Sequence, residues 1–403
     1  MSRIQKMRAV AALGALLATT ALAQEAKDVC GDRPQCVVKD TTRALKGHEV
    51  VELSLGQRDP NEGPACELRE WWLRRPDKSV VKLLDACNDG YGAAGIGEED
   101  VTVSENLFRH ERSGGSAWRW TTQVELQLVP LMMISELNSS SHTLSPETRE
   151  ARFNYRTFEG RVLREVLDCK VSPEEVTLDS STRTLEATLV PQVELPATFL
   201  KEGWKRTELG QCSASGGAVL LGKPQGKDDA RIRAVIGQGN VLFLEVVDDT
   251  WTGPSAKWLA DDHVELWLSP EAPDAIDPCG RNGKDPGLVQ WAIRIADGQV
   301  FPAYGNPKPL LPVEVVRQGN RARLQVKLPA GINALTAVYS DSDQGKKQEL
   351  MVATSQLEFG RAATLSPLRI LAPTEATCQV KGQELVPVPS ELRVAPGEAV
   401  LSQ

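Results

Sequence analysis

Residues 261–268 read Asp-Asp-His-Val-Glu-Leu-Trp-Leu. Successive side chains of an extended strand point to opposite faces, so Val264, Leu266 and Leu268 share one face and His263, Glu265 and Trp267 the other. The same two-residue period runs through Gln123 to Leu128 and through Arg321 to Leu328. It recurs from Leu242 to Val247 and in Gln290-Trp291-Ala292-Ile293-Arg294-Ile295, where Trp291, Ile293 and Ile295 form the apolar face. Turn-forming groups punctuate the chain at Asp59-Pro60-Asn61, Asn88-Asp89-Gly90, Gly114-Gly115, Asp179-Ser180-Ser181 and Gly222-Lys223-Pro224. Helical periodicity is nowhere sustained, although Thr148 to Arg152 could form a single turn. Short alternating strands between frequent turns predict an all-β class.

The chain has 403 residues, 41% hydrophobic and 25% charged, which excludes a fibrous repeat, a disordered chain and a polytopic membrane protein. Arg3, Lys6 and Arg8 precede an apolar run from Ala9 to Ala23 that closes on Ala21-Leu22-Ala23. This pattern predicts a secretory signal peptide over 1–23, cut between Ala23 and Gln24, and too short to remain as a transmembrane anchor. The expected location is periplasmic or secreted. Beyond it we expect two β-rich domains: a disulfide-containing one of unknown function over 24–212 and a second over 230–372. A Gly- and Ser-rich linker at 213–229 joins them, and a Pro-punctuated tail over 373–403 lies on the surface or trails off. The net charge of −8 becomes more negative once the leader is removed, so no electrostatic footprint for nucleic acid or an anionic membrane is present.

Eight cysteines in an oxidising compartment pair by default. Arg69 to Leu73 and Val80 to Leu84 flank the Pro-led turn Arg75-Pro76-Asp77-Lys78, and a hairpin there would set Cys66 opposite Cys87. Neighbourhood in sequence suggests Cys30–Cys36, Cys169–Cys212 and Cys279–Cys378. No two cysteines have the spacing of a zinc site. Gly90-Tyr91-Gly92-Ala93-Ala94-Gly95 matches a dinucleotide fingerprint, but an acidic and then strand-like stretch follows where the pyrophosphate needs a helix N-terminus, so we read a Gly-rich turn. Gly114-Gly115-Ser116-Ala117-Trp118 breaks the frame of a nucleophile elbow. His48, His110, His142 and His263 are scattered, and no catalytic constellation emerges. Trp71, Trp72, Trp118, Trp120 and Trp204 either fill a β-domain core or form an exposed platform.

The order of the later segments is more specific. A strand from Val241 to Val247 ends in Asp248-Asp249; Trp251 and Trp258 follow, then Asp261 to Leu268, then Val289 to Ile295. Residues 230–372 thereby resemble the family 9 carbohydrate-binding modules and the related DOMON-like β-sandwiches, with Cys279-Gly280-Arg281-Asn282-Gly283 as a departure. The resemblance implies an antiparallel, jelly-roll-like β-sandwich that binds a glycan or cell-envelope polysaccharide without catalysis. It marks Glu265, Trp267 and Arg294 as sheet-face residues and Trp251 and Trp258 as loop aromatics. By strand phase, Glu245, His263 and Gln290 could join the same surface, where a ring stacks on a sugar and forked polar groups bind its hydroxyls. Asp248, Asp249, Asp261 and Asp262 could hold calcium, as in some relatives, or bond their own turns. A haem-binding domain of this type would use His263 and Met351 as ligands. The same residues also fit plainer roles. Glu265 and Arg294 could form a cross-strand ion pair, and Trp267 could be covered by the tail or by the first domain. The chain would then serve as an envelope-structural or protein-interaction protein.

Overall fold

A computed structural model describes residues 29–61, 65–88, 96–143, 148–171, 176–226, 228–276, 285, 287–368 and 377–388. The expected leader over 1–23, the Gly90 to Gly95 run and Cys279 lie outside these residues. The chain forms two compact units.

In the first unit, β1 (Val37–Arg43), β2 (Glu49–Gln57), β3 (Glu67–Arg74) and β4 (Val80–Asn88) pair in chain order as an antiparallel sheet. The β3–β4 hairpin forms around the Pro-led turn, where the Asp77 carboxylate accepts the Ser79 N–H at 2.9 Å. It brings Leu68 opposite Cys87, and Cys66 and Cys87 are joined as expected, as are Cys30 and Cys36. A second hairpin, β5 (Ile96–Ser104) and β6 (Leu107–Gly114), brings Phe108 and His110 against Trp71, which is 1% exposed. Trp72, one residue on and therefore on the other face, is half-buried and donates its Nε1–H to Glu70. β7 (Trp118–Leu128) and β8 (Leu131–His142) contribute residues to both units.

The second unit begins with a meander in which β8 pairs β9 (Thr148–Asn154), β9 pairs β10 (Glu159–Val171), and β10 pairs β11 (Val176–Leu189). Thr148 to Arg152 is therefore strand and not a helical turn. Ladders on both sides satisfy its backbone, and buried Ala151 and Phe153 alternate with exposed Arg152 and Asn154. After one helical turn, α1 (Ala197–Lys201), the chain enters a sandwich. One sheet has the order β12 (Ala214–Ser215), β14 (Ala230–Gly237), β15 (Val241–Asp248), β20 (Arg321–Lys327), β19 (Val313–Gln318). The other runs β13 (Ala218–Leu221), β22 (Leu350–Ala353), β21 (Ala334–Asp341), β16 (His263–Ser269), β17 (Val289–Arg294), β18 (Val300–Tyr304). Residues 213–229, linker-like in composition, thus supply an edge strand to each sheet.

Between the sheets lie Leu242, Leu244 and Val246 from β15, Val264, Leu266 and Leu268 from β16, and Trp291 and Ile293 from β17. These are the apolar phases read from the sequence, and each large side chain buried here contributes about 1.5–3 kcal/mol. Trp204, early in the chain, packs with Phe199 and Phe243 in this unit, whereas Trp118 is 47% exposed.

The tail is also structured over 377–388, as the hairpin β23 (Thr377–Lys381) and β24 (Glu384–Val388). Cys378 bonds Cys212, which replaces the pairings of Cys212 with Cys169 and of Cys378 with Cys279. The partners are 166 residues apart, a separation that neighbourhood in sequence cannot anticipate, and closing so long a loop stabilises by roughly 4–5 kcal/mol in the chain-entropy picture.

Leu266 is 0% exposed at the centre of the sandwich. Leu266→Ala should lower stability by about 2–5 kcal/mol. Urea unfolding would register this as a lower midpoint, and a change within about 0.5 kcal/mol, the surface range, would contradict the assignment.

Candidate functional site

The outer face of the six-stranded sheet is built by the register of its strands. Trp267 on β16 sits opposite Gln290 on β17, Glu265 opposite Ala292, and His263 opposite Arg294. On β18, Tyr304 pairs with Gln290 and Phe301 with Ala292. Two aromatic groups result. At one end the Trp267 ring lies 5.6 Å from Tyr304 and 5.8 Å from Phe359. At the other, Trp258 stacks on Phe301 at 5.4 Å and meets His263 edge-on at 5.1 Å.

Glu265 occupies the strand position between these groups. Its carboxylate accepts hydrogen bonds from Gln290 Nε2 at 2.7 Å, Trp267 Nε1 at 3.2 Å and Gln348 Nε2 at 3.4 Å. His263 Nδ1 donates to the Asp261 carbonyl at 2.7 Å, which turns Nε2 toward Glu265 Oε1 at 3.4 Å. Glu265, Trp267 and Gln290 are 4%, 3% and 8% exposed, so they form a floor. Trp258, Phe301, Tyr304 and Gln348 are half-buried and Phe359 is exposed, so they form a rim. Trp267 is outside the sandwich core, as its phase requires, but Tyr304 and Phe359 pack beside it and it is no open platform.

Other expected members stand elsewhere or are already engaged. Arg294 spends its donors on Asp297, Gln299, Asp261 and the Ser255 carbonyl, at 2.6–3.2 Å. It is therefore a brace for the loop that carries Trp258 and not a fork for a ligand. The Glu265–Arg294 ion pair does not form, because the register offsets them by one row. Trp251 donates Nε1–H to the Gly319 carbonyl and packs against Tyr339 at the core edge, away from this face. Glu245 belongs to the five-stranded sheet and points outward from it, beside Arg321 and Arg323. His263 is 0% exposed, and Met351 lies across Ser340 from it in the same row, within an apolar cluster. Phe301, Tyr304, Gln348 and Phe359 carry no signal of this face in the sequence, whereas Ala292 stands where the shared phase of Gln290, Ala292 and Arg294 puts it.

A second constellation closes one end of the sandwich. Asp248 ends β15, Asp262 precedes β16 and Asp341 ends β21. All three continue the inward phase of their strands, one step beyond the apolar core, and so converge between the sheets. An oxygen from each lies within 4.8 Å of the others. They are 0%, 0% and 2% exposed. Asp248 accepts from the Tyr339 hydroxyl and the Thr250 N–H, and Asp262 accepts from the N–H groups of Thr252 and Ser342. Among the described residues Oδ1 of Asp341 has no hydrogen-bond partner. Burial pushes their carboxyls up, helped at Asp248 and Asp341 by the neighbouring carboxylates, to about 7 for Asp248, about 6 for Asp262 and about 8 for Asp341. Asp229, Asp249 and Asp343 form an adjoining triplet. Of the four aspartates named from the sequence, Asp261 does not join. It bonds the Ser255 N–H at 2.9 Å and Arg294 at 3.2 Å, and although burial opposes this, those partners hold its carboxyl below the ordinary value. A buried all-carboxylate set with an unsatisfied oxygen fits a hard divalent cation.

No protein-family model and no curated protein matches the chain. Among solved structures it is similar to a family 9 carbohydrate-binding module from Caldicellulosiruptor kristjanssonii in complex with cellotriose, at 9% identity and a TM-score of 0.32, over 45% of this chain and 91% of that one. A module of the same family and organism in complex with glucose gives 12% identity and a TM-score of 0.29, over 40% of this chain and 92% of that one.

The raised carboxyls define a pH dependence. Without a cation the folded chain retains protons that an unfolded aspartate, with its value of 3.8, has released. This contribution to stability is fully present below about pH 4 and is lost as the pH rises through about 6 to 8. In chelator, Tm should therefore fall across that window, and Asp341→Asn, which removes one buried charge, should flatten the fall. A wild-type Tm that rises through the window would contradict the cluster.

Proposed function

We propose that the second unit binds carbohydrate, without catalysis, on the outer face of its six-stranded sheet. The observation that carries this reading is the hydrogen-bonded Glu265–Gln290 pair set between two aromatic groups. A sugar ring presents apolar C–H faces to an aromatic side chain and hydroxyls at its edge to a carboxylate or amide. Trp258, half-buried and backed by Phe301, offers the stacking surface. Glu265 is held by Trp267 and Gln290, which fixes an acceptor in place before a ligand arrives.

Asp248, Asp262 and Asp341 are proposed to hold a calcium ion, whose charge would offset that of the buried carboxylates and tie the ends of β15 and β21 to the start of β16. Millimolar calcium should then raise Tm, most strongly near pH 8, where the ligands shed their protons most readily. Asp341→Asn should abolish that rise. The reading places the chain outside the cytoplasm. Among the described residues three disulfides suit an oxidising compartment, and no helix there is long and apolar enough to cross a membrane.

Calorimetric titration with neutral cello-, xylo- and manno-oligosaccharides tests the site. At least one series should bind, and Trp258→Ala and Gln290→Ala should each weaken it by about tenfold, the scale of one lost stacking contact or buried hydrogen bond. Trp251→Ala should bind as the wild type does. An unresponsive wild type, or unchanged affinity in both site variants, would overturn the proposal.

A further inference from the structure

On the opposite side of the sandwich, over the outer face of the five-stranded sheet, a second cavity of about 530 Å³ opens. Three segments wall it: 198–208, from within α1 onward, 318–323 at the β19–β20 turn, and 380–383 at the β23–β24 turn. These walls are tied to one another. The disulfide from Cys212 to Cys378 holds the hairpin. Glu208 donates its N–H to the Gln383 carbonyl at 2.7 Å and accepts the Leu385 N–H at 2.9 Å. Arg323 donates to the Thr207 carbonyl at 3.1 Å, and Arg321 bridges Glu208 at 3.1 Å and Glu245 at 3.2 Å. Behind them Glu245 is 3% exposed, with one carboxylate oxygen lacking a hydrogen-bond partner among the described residues.

The groups that hold the walls are therefore spent on the walls. Five polar lining side chains are not: Thr198, Arg206, Gln318, Asn320 and Gln383 are exposed, and their polar ends make no hydrogen bond or ion pair with the described residues. One guanidinium and three amides are planar groups that bond adjacent hydroxyls in pairs, and the guanidinium fork also matches a carboxylate. Apolar lining is sparse, since Phe199 is 0% exposed and Val380 stands on the rim. A flat aromatic or acyl ligand would find little to bury against, whereas a hydroxyl-rich one would. The volume lies within the range of small-ligand sites.

We infer that this cavity is a second saccharide site, taking a sugar that carries a carboxylate, with Arg206 on the carboxylate and the three amides on the hydroxyls. It stands apart from the six-stranded face, so one chain would engage two kinds of sugar unit at once.

The test is calorimetric titration of the full chain with trigalacturonate, with neutral maltotriose and inorganic phosphate as comparisons. Trigalacturonate should bind, and Arg206→Ala should weaken it by about tenfold or more, the scale of a charge-assisted hydrogen bond. Arg206→Lys should restore only part, because a point charge replaces a fork. Asn320→Ala should weaken it less, and Gln290→Ala on the other face should change nothing. Arg206 and Asn320 are exposed, so Arg206→Ala, Arg206→Lys and Asn320→Ala should keep the wild-type Tm. Absent binding, binding indifferent to Arg206, or equal binding of maltotriose or of phosphate would each overturn the inference. Loss on Gln290→Ala would overturn it too, by assigning the ligand to the other face.

Discussion

The dry interface between the two sheets of the sandwich constrains everything built on it. Stacked sheets approach to about 10 Å, which leaves room for interdigitated side chains and none for water. Each central strand must therefore give every second residue to that interface, as β15, β16, β17 and β20 do. Polar residues are driven to three places only: the outer face of one sheet, the outer face of the other, and the strand ends where the interface stops. The Glu265 floor, the arginine-walled cavity and the aspartate cluster occupy these three places in turn.

A polar outer face need not be a wet one. His263, Glu265 and Gln290 are nearly as buried as the core, yet their bonds close on one another. Arg294 shows how such a face is kept in shape. Its guanidinium links β17 to Ser255, Asp261, Asp297 and Gln299, and so fixes the loop from which Trp258 turns back over Phe301. A charged residue that spends its donors on a loop can still decide where an aromatic ring stands. At the strand ends the opposite holds. Asp248, Asp262 and Asp341 repel one another in a place that water scarcely reaches, and the arrangement is stable only with protons or a cation among them.

What could be read from the sequence follows from what is local. Strand phase is a property of neighbouring residues, so the all-β class, the inward faces of Val264, Leu266, Leu268, Trp291 and Ile293, and the outward Trp267 were all legible. The Cys66–Cys87 pair was legible because a single Pro-led hairpin sets it. Sheet membership is not local. Glu245 and Glu265 share an outward phase yet belong to different sheets, and nothing near either residue says so. Cys378 finds Cys212 across most of the second unit, and Asp341 joins Asp248 from a strand far along the chain. Residues 213–229 carry the Gly and Ser of a linker, but short edge strands need few apolar residues because one side faces solvent. Arg294 had the right chemistry for a ligand and the wrong neighbours, which only the fold supplies.

The indole resonances of the protein report directly on the proposed binding face of the six-stranded sheet. Nine tryptophans give a small set of indole N–H signals in a nitrogen-15 correlation spectrum. On addition of a neutral oligosaccharide that binds, the Trp258 and Trp267 indoles and the Gln290 side-chain amide should shift. Trp204 and Trp251 should stay in place. Shifts at Trp251 with none at Trp258, or binding that moves none of these signals, would contradict the proposed face.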